Sequence, residues 1–187
     1  MRLRDAAEAD LPAIVEIFNA TIPSRMVTAQ LEPVLATDRW PWFREHSPDR
    51  YPIWVTEMNG RVTAWLSFSP FLSRSAYRST AEVSVYVDQN FRRCGLAAKL
   101  LTAAITRGPG FEFTALVGLI FAHNEPSLRL FEKFGFARWG HLPRIARLDR
   151  IERDVVIVGL QIAQPNNEDL FPGNADPATP FRFSGVQ

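Results

Sequence analysis

The apolar positions of the chain follow two periods. Leu11, Ile14, Ile17 and Phe18 recur at helical spacing, which predicts a helix to about Ala20 with Asp10 as its cap and Pro12 in its first turn. Before it, Met1 to Arg4 can form a short edge strand. After it comes an irregular stretch, Thr21 to Thr37, and then a second helix over Trp40 to His46. Pro52 to Met58 and Arg61 to Ser69 are apolar runs joined by Asn59-Gly60, a dipeptide that suits the positive φ angles of a type I′ hairpin turn. From Thr80 to Asp88 the pattern alternates, with Ala81, Val83, Val85 and Val87 on one face and Glu82, Ser84, Tyr86 and Asp88 on the other. Helical spacing returns over Gly95 to Arg107. Thr114 to Ala122 is almost wholly apolar, as a strand covered on both faces is. Asn124 to Phe134 reads as a helix capped by Asn124, with Pro126 in its first turn and Gly135 past its end. Leu142 to Asp154 reads as irregular, and Val155 to Ala163 as a final strand.

This order predicts an α/β (α+β) domain over residues 1–163, with a mixed, mostly antiparallel sheet and helices on both faces. Residues 164–187 are rich in Pro, Asn, Asp and Gly and carry no period. They read as a C-terminal extension whose Leu170, Phe171, Phe181 and Phe183 can dock on the body or on another subunit.

Composition narrows the function. A length of 187 residues suits one domain with a tail, and 47% apolar residues exclude wholesale disorder. The single cysteine, Cys94, excludes an internal disulfide and a Cys-rich zinc module, and agrees with a reducing compartment. His46, His123 and His141 lack ligand spacing, so no metal is expected. The net charge of +1 argues against binding nucleic acid by bulk electrostatics. No apolar run is long enough for a membrane span, and residues 1–10 have no signal-peptide core, so a cytoplasmic protein is expected. The balanced charge hides an imbalance: Lys99 and Lys133 are the only lysines among 21 basic residues. Either this is coding bias, or some of the arginines grip carboxylates or phosphates, which guanidinium does better than ammonium.

The strongest chemical signal is the strand Thr80 to Asp88 followed by Arg92-Arg93-Cys94-Gly95-Leu96-Ala97-Ala98 at a helix start. Gly95 and the small alanines let a ligand approach the backbone, and the amides of the turn join the helix dipole in an anion site suited to pyrophosphate. The segment lacks the Gly-x-Gly-x-x-Gly dinucleotide spacing and the terminal Gly-Lys-Ser/Thr of a P-loop.

These residues resemble the GNAT family of N-acetyltransferases, whose acetyl-CoA motif, Arg/Gln-x-x-Gly-x-Gly/Ala, is matched by Arg92, Gly95 and Ala97. Asn124 and Ser127, followed by Leu130 to Phe136, look like the family's second cofactor segment. More narrowly, Arg74 to Val87, Asn19-Ala20-Thr21 and Trp42-Phe43 are similar to phosphinothricin and methionine sulfoximine acetyltransferases. The resemblance implies acetyl transfer from acetyl-CoA to the primary amine of a small amino-acid-like molecule, by direct attack in a ternary complex. It implies Glu82 as general base and the backbone of Val85, Tyr86 and Val87 as the pantetheine and thioester site. Arg92 to Ala98 would hold the pyrophosphate, Asn124 and Ser127 would contact the cofactor, and Arg74, Tyr77 and Arg78 would hold the substrate's acidic group. A homodimer is also implied. Many members carry a Tyr general acid where this chain has Phe131; His123 and Tyr86 are the substitutes on offer, and neither is assigned. Val83 stands where several members of the narrower group have a polar residue, and Arg147 to Asp154 differs from them too, so their substrates do not transfer directly. Trp65, Phe68 and Phe71 are aromatic candidates for the site wall or the core. Two other readings remain open, a protein or peptide N-acetyltransferase and a non-catalytic acyl-CoA-binding module.

Overall fold

The computed structural model describes residues 1–162; the extension and its four apolar anchors lie outside them. Seven strands and four α-helices follow in the order β1 (Arg2–Asp5), α1 (Leu11–Asn19), α2 (Trp40–Arg44), β2 (Ile53–Met58), β3 (Arg61–Pro70), β4 (Thr80–Val87), α3 (Leu96–Arg107), β5 (Ala115–Phe121), α4 (Glu125–Lys133), β6 (Ala137–Leu148) and β7 (Ile151–Gln161). They form one sheet in the spatial order β1-β2-β3-β4-β5-β7-β6. Every pairing is antiparallel except β4 with β5. The β2–β3 hairpin turns at Asn59 and Gly60, both at positive φ (51° and 76°), as the dipeptide predicts.

Strand alternation divides the core between the two faces of the sheet. On one face, Leu66 and Phe68 of β3 and Ala81 and Val83 of β4 pack with Leu100 and Leu101 of α3 and Leu128 and Phe131 of α4. On the other, Val55 and Trp65 meet Ile14, Ile17 and Phe18 of α1, and Trp42 and Phe43 of α2 join them. Each large side chain buried in this way contributes about 1.5–3 kcal/mol. Helix α4 lies directly on β5 at Gly118. A Cβ there would come 3.0 Å from the Phe131 ring and 3.1 Å from Val158.

Two expectations need correction. Asp10 holds the cap position of α1, but its side chain does not cap the helix; the carboxylate turns back to accept from the Ala7 amide (2.7 Å) and from both terminal nitrogens of Arg4 (2.6 and 2.9 Å). Arg4 also pairs with Glu57 at 2.8 Å, so the three side chains tie β1, the start of α1 and β2 together. The hydrogen bonds from Arg4 lower the Asp10 pKa against the opposing effect of burial. The second correction concerns Leu142 to Asp154, which is not irregular but carries the second half of the long edge strand β6 and the start of β7. The register shifts between Arg138 and Gly140 and again between Leu142 and Ala146, which removes the alternation by which a strand is recognised.

The close approach at Gly118 predicts that Gly118→Val destabilises the domain by about 1–3 kcal/mol, because α4 must lift from β5. In urea unfolding the midpoint should fall with the slope unchanged.

Candidate active site

The site begins where two neighbouring strands part. β4 and β5 are in register only from Thr80–Ala115 to Glu82–Val117. Beyond that point β4 stays with β3 as far as Val87, while β5 stays with β7 through Phe121. A wedge of about 50 Å³ opens between them, lined by Val83 to Tyr86 of β4, Leu119 and Ile120 of β5, and Asn124, Ser127 and Phe131 at α4. The Asp88 amide donates to Thr63 O and Thr80 O accepts from Phe71 N, so even-numbered residues of β4 bond towards β3. By alternation, the N–H and C=O groups of Val85 and Val87 face the wedge, where no strand meets them. They offer β-type hydrogen bonds to an extended ligand. The Tyr86 amide, expected in the same role, faces β3 instead.

The chain leaving β4 reaches α3 through Arg93 (φ 63°) and Gly95 (φ 75°). Gly95 is the cap residue of α3, and no side chain caps the helix there. The first-turn amides are therefore free for an anion, with the positive end of the helix dipole behind them. A Cβ built on Gly95 meets nothing within 4 Å, so the approach is open. Arg92, Arg93 and Cys94 are exposed and Ala97 and Ala98 half-buried, whereas the Leu96 side chain is in the core and only its backbone can serve.

On the α1 face of β4 lies a second cavity, of about 140 Å³. Three cross-strand pairs run along this face: Trp65 with Tyr86, Ser67 with Ser84, and Ser69 with Glu82. The first two pairs and Ser69 line the cavity; Glu82, across from Ser69, is not in the lining. Ile14, Phe18 and Trp42 close it from α1 and α2, and Arg39 is the one charged residue of the lining. Ser84 and Tyr86 border both this cavity and the wedge. Tyr86 stacks on Trp65 (centroids 4.3 Å, planes 17° apart), and burial pushes its pKa up to about 12, so its hydroxyl stays protonated at neutral pH. Glu82 is partly buried and has no hydrogen-bond or ion-pair partner among the described residues. Desolvation raises its pKa above the ordinary carboxylate value.

The segment between α1 and α2 is fastened over the wedge. Asn124 accepts from Ser127 N, capping α4, and donates to Met26 O (2.9 Å). His123 Nε2 bonds Arg25 O, and Arg25 donates two hydrogen bonds to Asp149 in the β6–β7 turn, each 3.0 Å long. Val27 completes the wedge lining. Both polar ends of the Asn124 side chain are thus occupied, and His123 is a tether at the strand end.

Of the residues singled out in the sequence, the structure brings Val85, Tyr86, Asn124 and Ser127 to the two cavities, with Val87 on the same open edge; Glu82 lines neither and stands across from Ser69 of the α1-side cavity. Arg92 to Ala98 lead into α3 beyond them. Arg74, Tyr77 and Arg78 line neither cavity. All three are exposed, and Arg78 pairs on the surface with Glu112 (2.8 Å), which also holds Arg50. Trp65 lines the α1-side cavity, and Phe68 is fully buried in the core. Sequence reasoning missed Arg39, which lies on a short polar turn with no local signal beyond the aromatics that follow it. Among the described residues no cluster of three His, Cys, Asp or Glu could hold a metal, and no helix is long and apolar enough to cross a membrane.

A sheet parted at its centre, an uncapped helix start beyond the parting strand and a lone carboxylate beside it define an acyl-transfer fold. The chain belongs to the acetyltransferase (GNAT) family, whose model matches residues 11–136. A Bacillus subtilis protein provisionally named a phosphinothricin acetyltransferase is 48% identical over 87% of this chain and its own full length. The L-amino acid N-acyltransferase MnaT of Escherichia coli is 31% identical over 90% of this chain and 98% of its own. A Salmonella typhimurium protein, provisionally named an acetyltransferase and solved with its cofactor acetyl-CoA, superposes with a TM-score of 0.82 at 29% identity, covering 88% of this chain and 95% of the other.

Asn124→Ala should cost about 1–2 kcal/mol through the lost cap and the lost tie to Met26. Hydrogen exchange should then quicken over residues 21–36, while the protection of β2 and β3 stays as it was.

Proposed function

We propose that this protein transfers an acetyl group from acetyl-CoA to the primary amine of a small amino-acid-like molecule. The observation that carries the reading is the parting of β4 from β5 between an uncapped helix start and an unpaired, partly buried carboxylate. Relatives named as an L-amino acid N-acyltransferase and a phosphinothricin acetyltransferase support the substrate class. The volume of the α1-side cavity, about 140 Å³, favours a small amine over a protein chain end.

The residues present fit acetyl-CoA. The free amides of Leu96, Ala97 and Ala98, the open approach at Gly95 and the exposed Arg92 and Arg93 suit a pyrophosphate. The wedge edge of Val85 and Val87 suits an extended arm with amides of its own, with Asn124 and Ser127 on the opposite wall. When bound, acetyl-CoA supplies a thioester whose carbonyl carbon an amine can attack. The chain supplies the rest. The Val85 and Val87 amides are preorganised donors for an oxygen that gains charge. Glu82 accepts the amine proton at its carboxylate. Successive rungs on one face are about 7 Å apart, so a water can carry that proton from the level of Ser84. A raised carboxylate pKa brings the base nearer to that of an α-amino group, about 8, which eases the transfer. Phe131 offers no proton, and none is needed for a leaving thiol whose own pKa is about 8.5.

Glu82→Gln should lower kcat roughly 100- to 10,000-fold with acetyl-CoA affinity unchanged, as read by thiol release and calorimetry. The native kcat/KM should fall as pH drops through the raised Glu82 pKa, an acid limb that the variant lacks. Stability should move the other way. Burial penalises only the ionised form, so the variant should melt higher than the native protein at neutral pH, and the difference should vanish once Glu82 is protonated in both folded and unfolded chains. Unchanged turnover would remove Glu82 from the role.

Replacing Arg92 and Arg93 together by Ser should weaken acetyl-CoA binding roughly tenfold and flatten its salt dependence, because the helix amides remain. Calorimetry at two salt concentrations checks both.

A further inference from the structure

We infer that Arg39 is the specificity-determining residue of the acceptor site. It holds the carboxylate of an α-amino acid in the cavity between α1 and β4, with the amine turned towards Glu82. The inference rests on the reading of the site as an amine acetyltransferase and names the residue that selects the amine.

Three observations meet at Arg39. It is the one charged member of the cavity lining. Its guanidinium lies 4.8 Å from the Phe18 ring centroid and 5.5 Å from that of Trp42, so two aromatic faces fix its position. It has no ion pair and no side-chain hydrogen bond among the described residues, whereas the partly buried Arg4, Arg25 and Arg50 each have one; Arg153, on β7, also lacks one. A positioned guanidinium with free donors is what a carboxylate needs for paired hydrogen bonds.

The opposite charge is close by but outside the lining: Glu82 is the cross-strand partner of Ser69, which lines the cavity. With Arg39, Ser67, Ser69 and Ser84 in the lining and Glu82 beside Ser69, the site offers a cation and hydroxyls to a zwitterion of α-amino-acid size. Ile14, Phe18 and Trp65 make the remaining wall apolar, which suits an aliphatic or thioether side chain. A cavity of about 140 Å³ is close to one that holds a benzene-sized ligand. The exposed Arg74 and Arg78 bring no charge to this cavity, since neither lines it.

The test compares methionine, methioninamide and 3-(methylthio)propylamine as acceptors for the native protein, Arg39→Gln and Arg39→Met. Arg39→Met keeps an apolar stem against Phe18 and Trp42, and circular dichroism checks that both variants fold. The native kcat/KM should favour methionine over its amide and amine by roughly 10- to 100-fold. Both variants should raise the KM for methionine by a similar factor, leave kcat within about threefold, and leave the amide unaffected. Arg39→Lys should recover part of the preference, since it restores charge without the planar fork. A preference for the acid that survives in both folded variants overturns the inference.

Calorimetric titration of methionine into native protein and variants answers the same question without turnover. Tenfold or greater weakening in the variants supports the carboxylate anchor even if no amine is acetylated, in which case only the proposed function fails. Equal affinity in native and variant protein, or no binding of methionine to the native protein, overturns the anchor whatever the enzyme turns over.

Discussion

The parting of β4 from β5 is the constraint on which the rest of this structure depends. Two adjacent parallel strands pair over three residues and then each follows a different neighbour, β4 staying on β3 and β5 on β7. Backbone groups in the middle of a sheet are ordinarily satisfied by the next strand, and leaving them open costs stability comparable to lost hydrogen bonds. The fold sustains that cost because apolar packing holds the two halves apart. Val83 and Phe131 are buried at the root of the wedge, and α4 is seated on Gly118. The same parting sends the chain after β4 outward, so that α3 begins with amides no side chain caps.

A second tension is electrostatic. Glu82 is partly buried without a cation, and Arg39 sits among aromatic rings without an anion. Elsewhere the protein pairs such groups closely, as in Arg4 with Asp10 and Glu57. A cation in the lining and a carboxylate beside it, across from Ser69, that do not neutralise each other are what a site for a zwitterion requires. The apparent excess of arginine thus divides by role. Some guanidiniums fasten loops, as Arg25 does at Asp149, and others are left with free donors, as Arg39 is. Most of the excess over lysine has no structural account.

What could be read from the sequence was whatever the chain encodes locally. Asn59-Gly60 fixes its own turn, Asn124 caps its own helix, and Gly95 marks a backbone that only glycine adopts cheaply. The alternation in β4 placed Glu82, Ser84 and Tyr86 on one face before any neighbour was known. Long-range features had no such mark. β6 escaped because Gly140, Pro143 and two register shifts break its period. The wedge depends on which partner each strand keeps, and no residue of β4 announces it. Arg39 was missed because its meaning comes from Phe18, Trp42 and β3, none of which is visible from its own turn. Arg78 looked better placed in the sequence, yet the loop before β4 turns it outward to Glu112.

The outer edges of the sheet gain significance from its open centre. β1 is only four residues long and three of them are charged, Arg2, Arg4 and Asp5. β6 carries a proline, two bulges and Arg138, Arg144 and Arg147 along its exposed length. Short, charged or kinked edges resist the addition of a stray strand from another copy of the chain. A protein that must keep some strand backbone unsatisfied in order to receive a ligand also carries the hazard of aggregation. Here the exposed borders are defended by chemistry, while the vulnerable backbone lines a wedge of about 50 Å³, under a segment fastened at Met26 and Arg25. The fold thereby admits a slender guest and excludes a second β-sheet.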